Sequence, residues 1–327
     1  MKKIISFAIS VIIMLSAAVM FSSCKSQKDT YKIGIIQYVS HPSLDNCYTG
    51  IIAALEESEI AGKYTIDRQI GSDASADSDC ETYAKSMVAQ KYDLIFAIAT
   101  PAAISAFAAT EGTNIPVIFC AVSDPVKAEL VSSLENPGDL CTGTSDVLDF
   151  DAQLNLIQAL QPDVKTIGIL YTSSEANSIS QLASFKTAAE KRGLTVDSQA
   201  IQNDADIPAA ASALANRVDC INNFTDNKVV NNLSVLLEKA NEAGIPVYGS
   251  EVEQVKNGCL ASVSIDYVAL GKVTGDMGVS VLGGADIKTM AVRTISDATP
   301  IINKKVLGEF NIELPAAYSN AEFVNAD

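Results

Sequence analysis

The sequence predicts an α/β protein of two similar Rossmann-like lobes, each a parallel sheet flanked by helices, joined by a hinge. Three observations predict it. Apolar, β-branched runs alternate with longer amphipathic stretches along most of the 327 residues, which is how βαβ units with a sheet covered on both faces are written. The alternation occurs twice in matching words: YKIGIIQY from Tyr31 and KTIGILYT from Lys165, KYDLIFAIAT from Lys91 and RVDCINNFTD from Arg217, TNIPVIFCAVSD from Thr113 and AGIPVYGSEVE from Ala243. The offsets are nearly constant, 134 residues from Ile33 to Ile167, 126 from Asp93 to Asp219 and 130 from Pro116 to Pro246. Three matches in order at that spacing describe one lobe written twice, not a solenoid of short repeats.

The elements follow in order. Lys2 and Lys3 precede an apolar run, Ile4 to Phe21, and then Ser22-Ser23-Cys24. A charged start, an apolar stretch and small residues before a cut read as a secretory signal over residues 1–23. A membrane-spanning helix competes with that reading, because the run is nearly long enough to cross a bilayer. The cysteine after two serines decides between them, since it resembles the lipobox of bacterial lipoproteins and marks Cys24 as the lipidation site. Residues 24–30 then form a polar tether. The first lobe is expected over residues 31–145, with strands at Lys32–Tyr38, Asp93–Ala99 and Pro116–Ala121 and helices at Thr49–Glu57 and Glu81–Gln90. The join falls near Gly143–Asp151. The second lobe is expected over 146–327, with strands at Thr166–Tyr171, Asp219–Phe224 and Pro246–Gly249, helices at Ile179–Arg192 and Lys228–Glu242, and segments returning to the first lobe after about residue 266.

Composition excludes several classes. With 23 basic against 39 acidic residues and a net charge of −16, the chain lacks the basic footprint that nucleic-acid binding needs. Cys47, Cys80, Cys120, Cys141, Cys220 and Cys259 are widely spaced without a CxxC, so they are expected to be reduced and mostly buried. One histidine and no paired ligand spacing leave no metal site, and no cofactor is expected. No GxGxxG follows the first strand, and neither a P-loop nor a GxSxG occurs; the chain is expected not to be an enzyme. A repressor of this two-lobed shape would need a basic helix-turn-helix segment ahead of the first strand, where a signal stands instead.

In such sheets ligands bind outside the carboxyl ends of the strands. Those ends carry Gln37-Tyr38, Ala99-Thr100-Pro101 and Ala121-Val122-Ser123-Asp124 in the first lobe. In the second they carry Tyr171-Thr172-Ser173, Phe224-Thr225-Asp226-Asn227 and Gly249-Ser250-Glu251. Two lobes facing each other across a cleft lined in this way make a clamshell for a small molecule.

From about Tyr31 onward the words IGIIQYVSHPSLD, YDLIFAIATPAA, PVIFCAVSDPV, SLENPGDLCTGTSD, ILYTSSEANS, FTDN, IPVYGSEVEQVKNGCLASVSIDY and INKKVLGEFNI resemble the substrate-binding lipoproteins of ABC importers for aromatic amino acids, the tryptophan/tyrosine type within the type I periplasmic-binding-protein fold. The asparagine-rich INNF before FTDN departs from the more apolar strand of that group. The resemblance implies an exported protein, lipid-anchored and facing outward at the cell surface or in the periplasm. It would capture tryptophan, tyrosine or phenylalanine and deliver it to permease and ATPase subunits. The fold equally admits a sugar, a nucleoside, another amino acid, or a sensor role presenting ligand to a receptor.

An amino-acid cleft must hold a carboxylate, an ammonium and a side chain. Thr100, Pro101 and Ala102 open a helix whose N-terminal donors suit the carboxylate, with Thr100 as its cap. Acceptor-only groups suit the ammonium: Asp226 first, Asp266 second, with Glu251 also a candidate. Tyr38 and Tyr171 end equivalent strands and are expected to face each other as aromatic walls. His41 sits in the loop after the first strand, with Ser43 expected to cap the next helix; it is either a plain surface-loop histidine or a polar lid element that bonds the ligand or closes against the other lobe. Gln37, Ser123, Asn177, Asn227 and Ser250 complete the expected lining. Asp226 and Thr100 could each be plain helix caps.

Overall fold

A computed structural model of the chain describes residues 30–295 and 299–325. The signal segment, Cys24 and the tether up to residue 29 lie outside the described residues. In the first lobe, β1 (Tyr31–Gln37), β2 (Tyr64–Ile70), β3 (Leu94–Ile98), β4 (Val117–Cys120) and β5 (Cys141–Ser145) join β11 (Arg293–Thr294) in one parallel sheet ordered β11-β5-β4-β3-β1-β2. Helices α1 (Pro42–Glu57), α2 (Ala76–Ala89) and α3 (Thr100–Thr110) follow the first three strands. In the second lobe β6 (Thr166–Thr172), β7 (Thr195–Ile201), β8 (Cys220–Asn222) and β9 (Val247–Tyr248) form a parallel sheet ordered β7-β6-β8-β9. The order β2-β1-β3-β4 of the first lobe is the same path, so the repeated words are repeated strands.

Around the second sheet lie α4 (Phe150–Leu160), α5 (Ala176–Glu190), α6 (Ile207–Ala215), α7 (Asn227–Asn231), α8 (Leu233–Glu242) and α9 (Val252–Lys256). Hydrogen bonds from Gly249 N to Ala261 O (2.9 Å) and Leu260 N to Val247 O (2.7 Å) carry β9 on to β10 (Ala261–Ser264). Beyond it lie β12 (Thr299–Asn303), antiparallel to β10, and β13 (Glu322–Val324). A short α-helix, α11 (Lys304–Glu309), and a 3-10 turn at Ala316–Tyr318 intervene between those last strands.

Helix α10 (Tyr267–Leu282) belongs to the other lobe. Its Tyr267, Leu270 and Met277 pack in one buried cluster with Ile51, Leu55 and the first-lobe strands. It lies so close to α1 that a Cβ on Gly50 would stand 2.1 Å from the Val268 carbonyl, and one on Gly271 2.1 Å from that of Cys47. Only glycine permits that approach. The chain therefore passes between lobes three times: after β5, between β10 and α10, and between β11 and β12.

Several elements differ from the sequence expectation. Edge strands β2 (YTIDRQI) and β7 (TVDSQAI) were not among the expected strands, and their half-buried, polar-rich pattern explains why apolar runs did not mark them. The helix expected over Lys228–Glu242 is two helices divided at Asn232. Helices α1, α2 and α5 each begin several residues before their amphipathic pattern becomes regular. All six described cysteines are buried and carry no disulfide. No helix among the described residues is long and apolar enough to cross a membrane.

Candidate ligand-binding site

The carboxyl ends of both sheets meet around a narrow cavity between the lobes. The first-lobe wall consists of His41, Ser43, Leu44, Ala99, Thr100, Ala121 and Ser123. It is built from two helix N-termini that no side chain caps. His41, extended at φ −152°, is the N-cap position of α1 and Ala99 that of α3, and neither supplies a capping hydrogen bond. This corrects the expectation that Ser43 and Thr100 are caps: both lie inside the first turn, the Ser43 hydroxyl is directed at the Glu251 carboxylate, and the buried Thr100 hydroxyl finds no hydrogen-bond partner in the protein. Ala99 and Ala121 hold φ values of 80° and 57°, which cost energy for a residue with a Cβ and cluster at functional sites.

The opposite wall consists of Asn177, Thr225, Asn227, Val230, Glu251 and Gln254, with Asp146 and Tyr267 at the crossings between lobes. Glu251 caps α9, accepting from Glu253 N (2.6 Å) and Gln254 N (2.8 Å). Burial pushes its carboxyl up to about 7, against the pull of those amides. Asp146 accepts from Ser123 Oγ (3.0 Å) and Tyr267 Oη (2.8 Å), and burial likewise raises it. Glu175, behind Asn177 and Asn227, is pushed to about 8 by burial and by the charge of Asp226. Besides the His41 imidazole, Tyr267 supplies the one aromatic ring in the lining.

The lobes touch directly across the cleft. His41 Nε2 lies 3.5 Å from Asn227 Oδ1, while its Nδ1 is buried and unmatched. Burial lowers this imidazole to about 4, so it is neutral at physiological pH. Gln181 Nε2 donates to Ser123 Oγ (2.7 Å) and Thr225 Oγ1 (2.6 Å), and Ser180 Oγ donates to Asp124 Oδ2 (2.7 Å). Asn231 Nδ2 donates to Asp73 Oδ1 (2.8 Å) on the far side. The arrangement is a closed one.

Of the residues expected from sequence, the structure gathers His41, Thr100, Ser123, Asn177, Asn227 and Glu251 into this lining. Gln37 is tied within its own lobe to Val39 O, Asp45 and Arg68. Pro101 and Ala102 stand in the first turn of α3 outside the lining, and Ser250 turns its hydroxyl to Asn223 O (2.6 Å). Tyr38 and Tyr171 do not face each other across the cavity. Tyr38 is buried beside Lys228, whose Nζ is 3.5 Å from its Oη, and Tyr171 packs against the second lobe's own core. Asp226 is fully buried and saturated by Thr172 N, Thr172 Oγ1, Ser178 Oγ and Val229 N at 2.6–3.0 Å. Asp266 is an exposed cap of α10. Neither carboxylate reaches the cavity, which corrects the choice of acceptors for an ammonium. The sequence reading missed Asp146, Gln254 and Tyr267. Tyr267 stood one residue beyond the aspartate singled out in SIDY, and Asp146 lay in the segment read as the join.

A family described as ABC transporter substrate binding protein matches residues 32–323. The chain belongs to that family. It is 36% identical over 303 residues to a tyrosine-binding protein of Clostridioides difficile, covering 93% of this chain and 86% of that one. Among solved structures, a domain from Streptococcus pneumonia in complex with L-Trp is 38% identical, covers 90% of this chain and 100% of that one, and superposes with a TM-score of 0.86. The ligand-free, open structure of a substrate binding protein with adhesive properties from Clostridium difficile is 37% identical, covers 91% and 100%, and gives 0.69. At nearly equal identity, the lower score against an open molecule agrees with the lobes here being drawn together. The fold is of the type I periplasmic-binding class, and the chain is a binding protein, not an enzyme. Proteins of this family work outside the cytoplasm.

Proposed function

We propose that this substrate-binding protein captures an aromatic L-amino acid in the cavity between its lobes and delivers it to the permease and ATPase subunits of an ABC importer. The observation that carries the reading is the division of hydrogen-bonding roles across the cavity. The first-lobe wall offers two uncapped helix N-termini and the free hydroxyl of Thr100, which suit a carboxylate. Glu251 and Asp146, opposite and at the crossing, offer buried carboxylates to an ammonium. Leu44, Val230 and Tyr267 supply apolar and aromatic area for the side chain. The tyrosine-binding relative and the L-Trp complex support the aromatic class.

On this reading Cys24 carries the lipid anchor, and C24S should move the protein from membranes to the soluble fraction; retention on the membrane would favour a spanning helix over residues 4–21. The central test is calorimetric titration of ligand-stripped protein with the amino acids, ribose and adenosine. Tryptophan or tyrosine should bind at least about a hundredfold tighter than leucine or arginine. Binding of ribose or adenosine without any aromatic amino acid would overturn the substrate class.

A further inference from the structure

The two sides of the cavity leave different hydrogen-bonding roles unfilled. On the first-lobe side the unmatched buried atoms are the hydroxyl of Thr100 and the Nδ1 of His41. In the second-lobe lining the unmatched atom is an acceptor, Asn177 Oδ1, on a side chain only 3% exposed. Its neighbours fix which way the amide points. Asn177 Nδ2 donates to Glu175 Oε2 at 3.1 Å and to the Thr225 carbonyl at 3.3 Å. A carbonyl can only accept, and Glu175 Oε2 already accepts from Asn227 N and Nδ2. The amide nitrogen belongs between these acceptors, and the oxygen faces away from them. Asn227 offers no such free acceptor, because its Oδ1 is against His41.

We infer that Asn177 is a specificity-determining residue whose side-chain oxygen accepts the N–H or O–H borne by the ligand's ring, so that the site takes tryptophan and tyrosine and rejects phenylalanine. The inference rests on the aromatic amino-acid reading above and sharpens it. The ammonium is served by Glu251 and Asp146, which leaves Asn177 for the ring. A bare phenyl group would seal a buried carboxamide oxygen away from any donor, and sites built around such an atom discriminate strongly against the ligand that leaves it unmatched. Glu175, which holds the amide nitrogen, is then a positioning residue.

The test is titration of ligand-stripped parent protein and N177A with L-tyrosine, L-tryptophan and L-phenylalanine, with thermal unfolding of both proteins recorded without ligand. In the parent, phenylalanine should bind at least about 30-fold more weakly than tyrosine. In N177A, tyrosine and tryptophan should weaken by about tenfold or more while phenylalanine stays within about threefold. Should N177A fail to fold, the parent alone decides: 1-methyltryptophan, which lacks the ring N–H, should follow phenylalanine. Parent protein that binds phenylalanine as tightly as tyrosine, or a variant that loses all three equally, would overturn the role given to Asn177. Absence of heat from all three would overturn the aromatic reading itself, and this inference with it.

Discussion

The two lobes share a strand order and differ in charge at the equivalent strand ends. The repeat offsets place His41 against Glu175, Thr100 against Asp226 and Ala121 against Glu251. At each of these strand ends the second lobe has an acid and the first lobe does not. The acids have partners within their own lobe: Asp226 and Glu251 cap helices, and Glu175 receives the amides of Asn177 and Asn227. Their first-lobe counterparts leave the ends of α1 and α3 uncapped. The backbone path is thus repeated while the capping chemistry differs at Asp226 and Glu251; α5, headed by Glu175, is left without a side-chain cap as α1 is. A helix N-terminus without a cap is a ready anion site, whereas one with a carboxylate has already filled that role. A zwitterion between the lobes meets donors on one face and acceptors on the other.

The largest expected effect comes from comparing equivalent positions. D226A leaves four buried donors without their acceptor and should lower unfolding stability by about 3 kcal/mol. T100A removes a hydroxyl bonded to nothing in the protein and should change stability by less than about 0.5 kcal/mol while weakening ligand. Denaturant unfolding of both variants reads this directly, and equal losses would dissolve the distinction between the lobes.

Second in size is Glu251. E251Q keeps the shape and an oxygen for the α9 amides but removes the negative charge, and should weaken an amino acid by about 30- to 100-fold, or about 2–3 kcal/mol. Unchanged affinity would move the ammonium to Asp146.

The smallest effect is pH-dependent. Burial lowers His41 from the free imidazole's 6.5 to about 4, so to the extent that closure does the burying the closed state binds fewer protons there. Its contribution to closure is present above pH 6.5 and is lost as pH falls toward 4. Glu251 and Glu175, raised to about 7 and 8, act in the opposite sense where closure buries them. The histidine's share is therefore the difference between parent and H41Q. Small-angle scattering at pH 5 and 7.5 should show the parent opening more than H41Q, and identical profiles would remove His41 from the latch.

The fold was legible because its central strands are written as apolar runs twice over, and Ile33 and Ile167 are buried in equivalent strands. Edge strands were less legible because exposure replaces the apolar run with YTIDRQI and TVDSQAI. Strand ends pointed to the cleft, and thus to His41, Thr100, Asn177 and Glu251. They did not say which way a side chain turns. The 134-residue offset pairs Tyr38, just past β1, with Thr172, and Tyr171 with Gln37, so the two tyrosines stand one residue out of register and turn to opposite sides, while Asp226 turns inward to Thr172 and Ser178. The Asp146–Tyr267 hydrogen bond joins residues 121 apart, a pairing with no local pattern to announce it.

Helix α10 has a consequence for the order in which the chain can fold during synthesis. Residues 31–145 hold five of the six strands of the first sheet, yet the surface of α1 that Gly50 opens stays uncovered until residues 267–282 arrive. The second lobe's main segment, 146–266, is made in between. The first-made lobe is thus among the last to close, and a nascent chain cannot lock that half of its core early. For a protein of a family that works outside the cytoplasm, such delay leaves the polypeptide open until nearly all of it has been made.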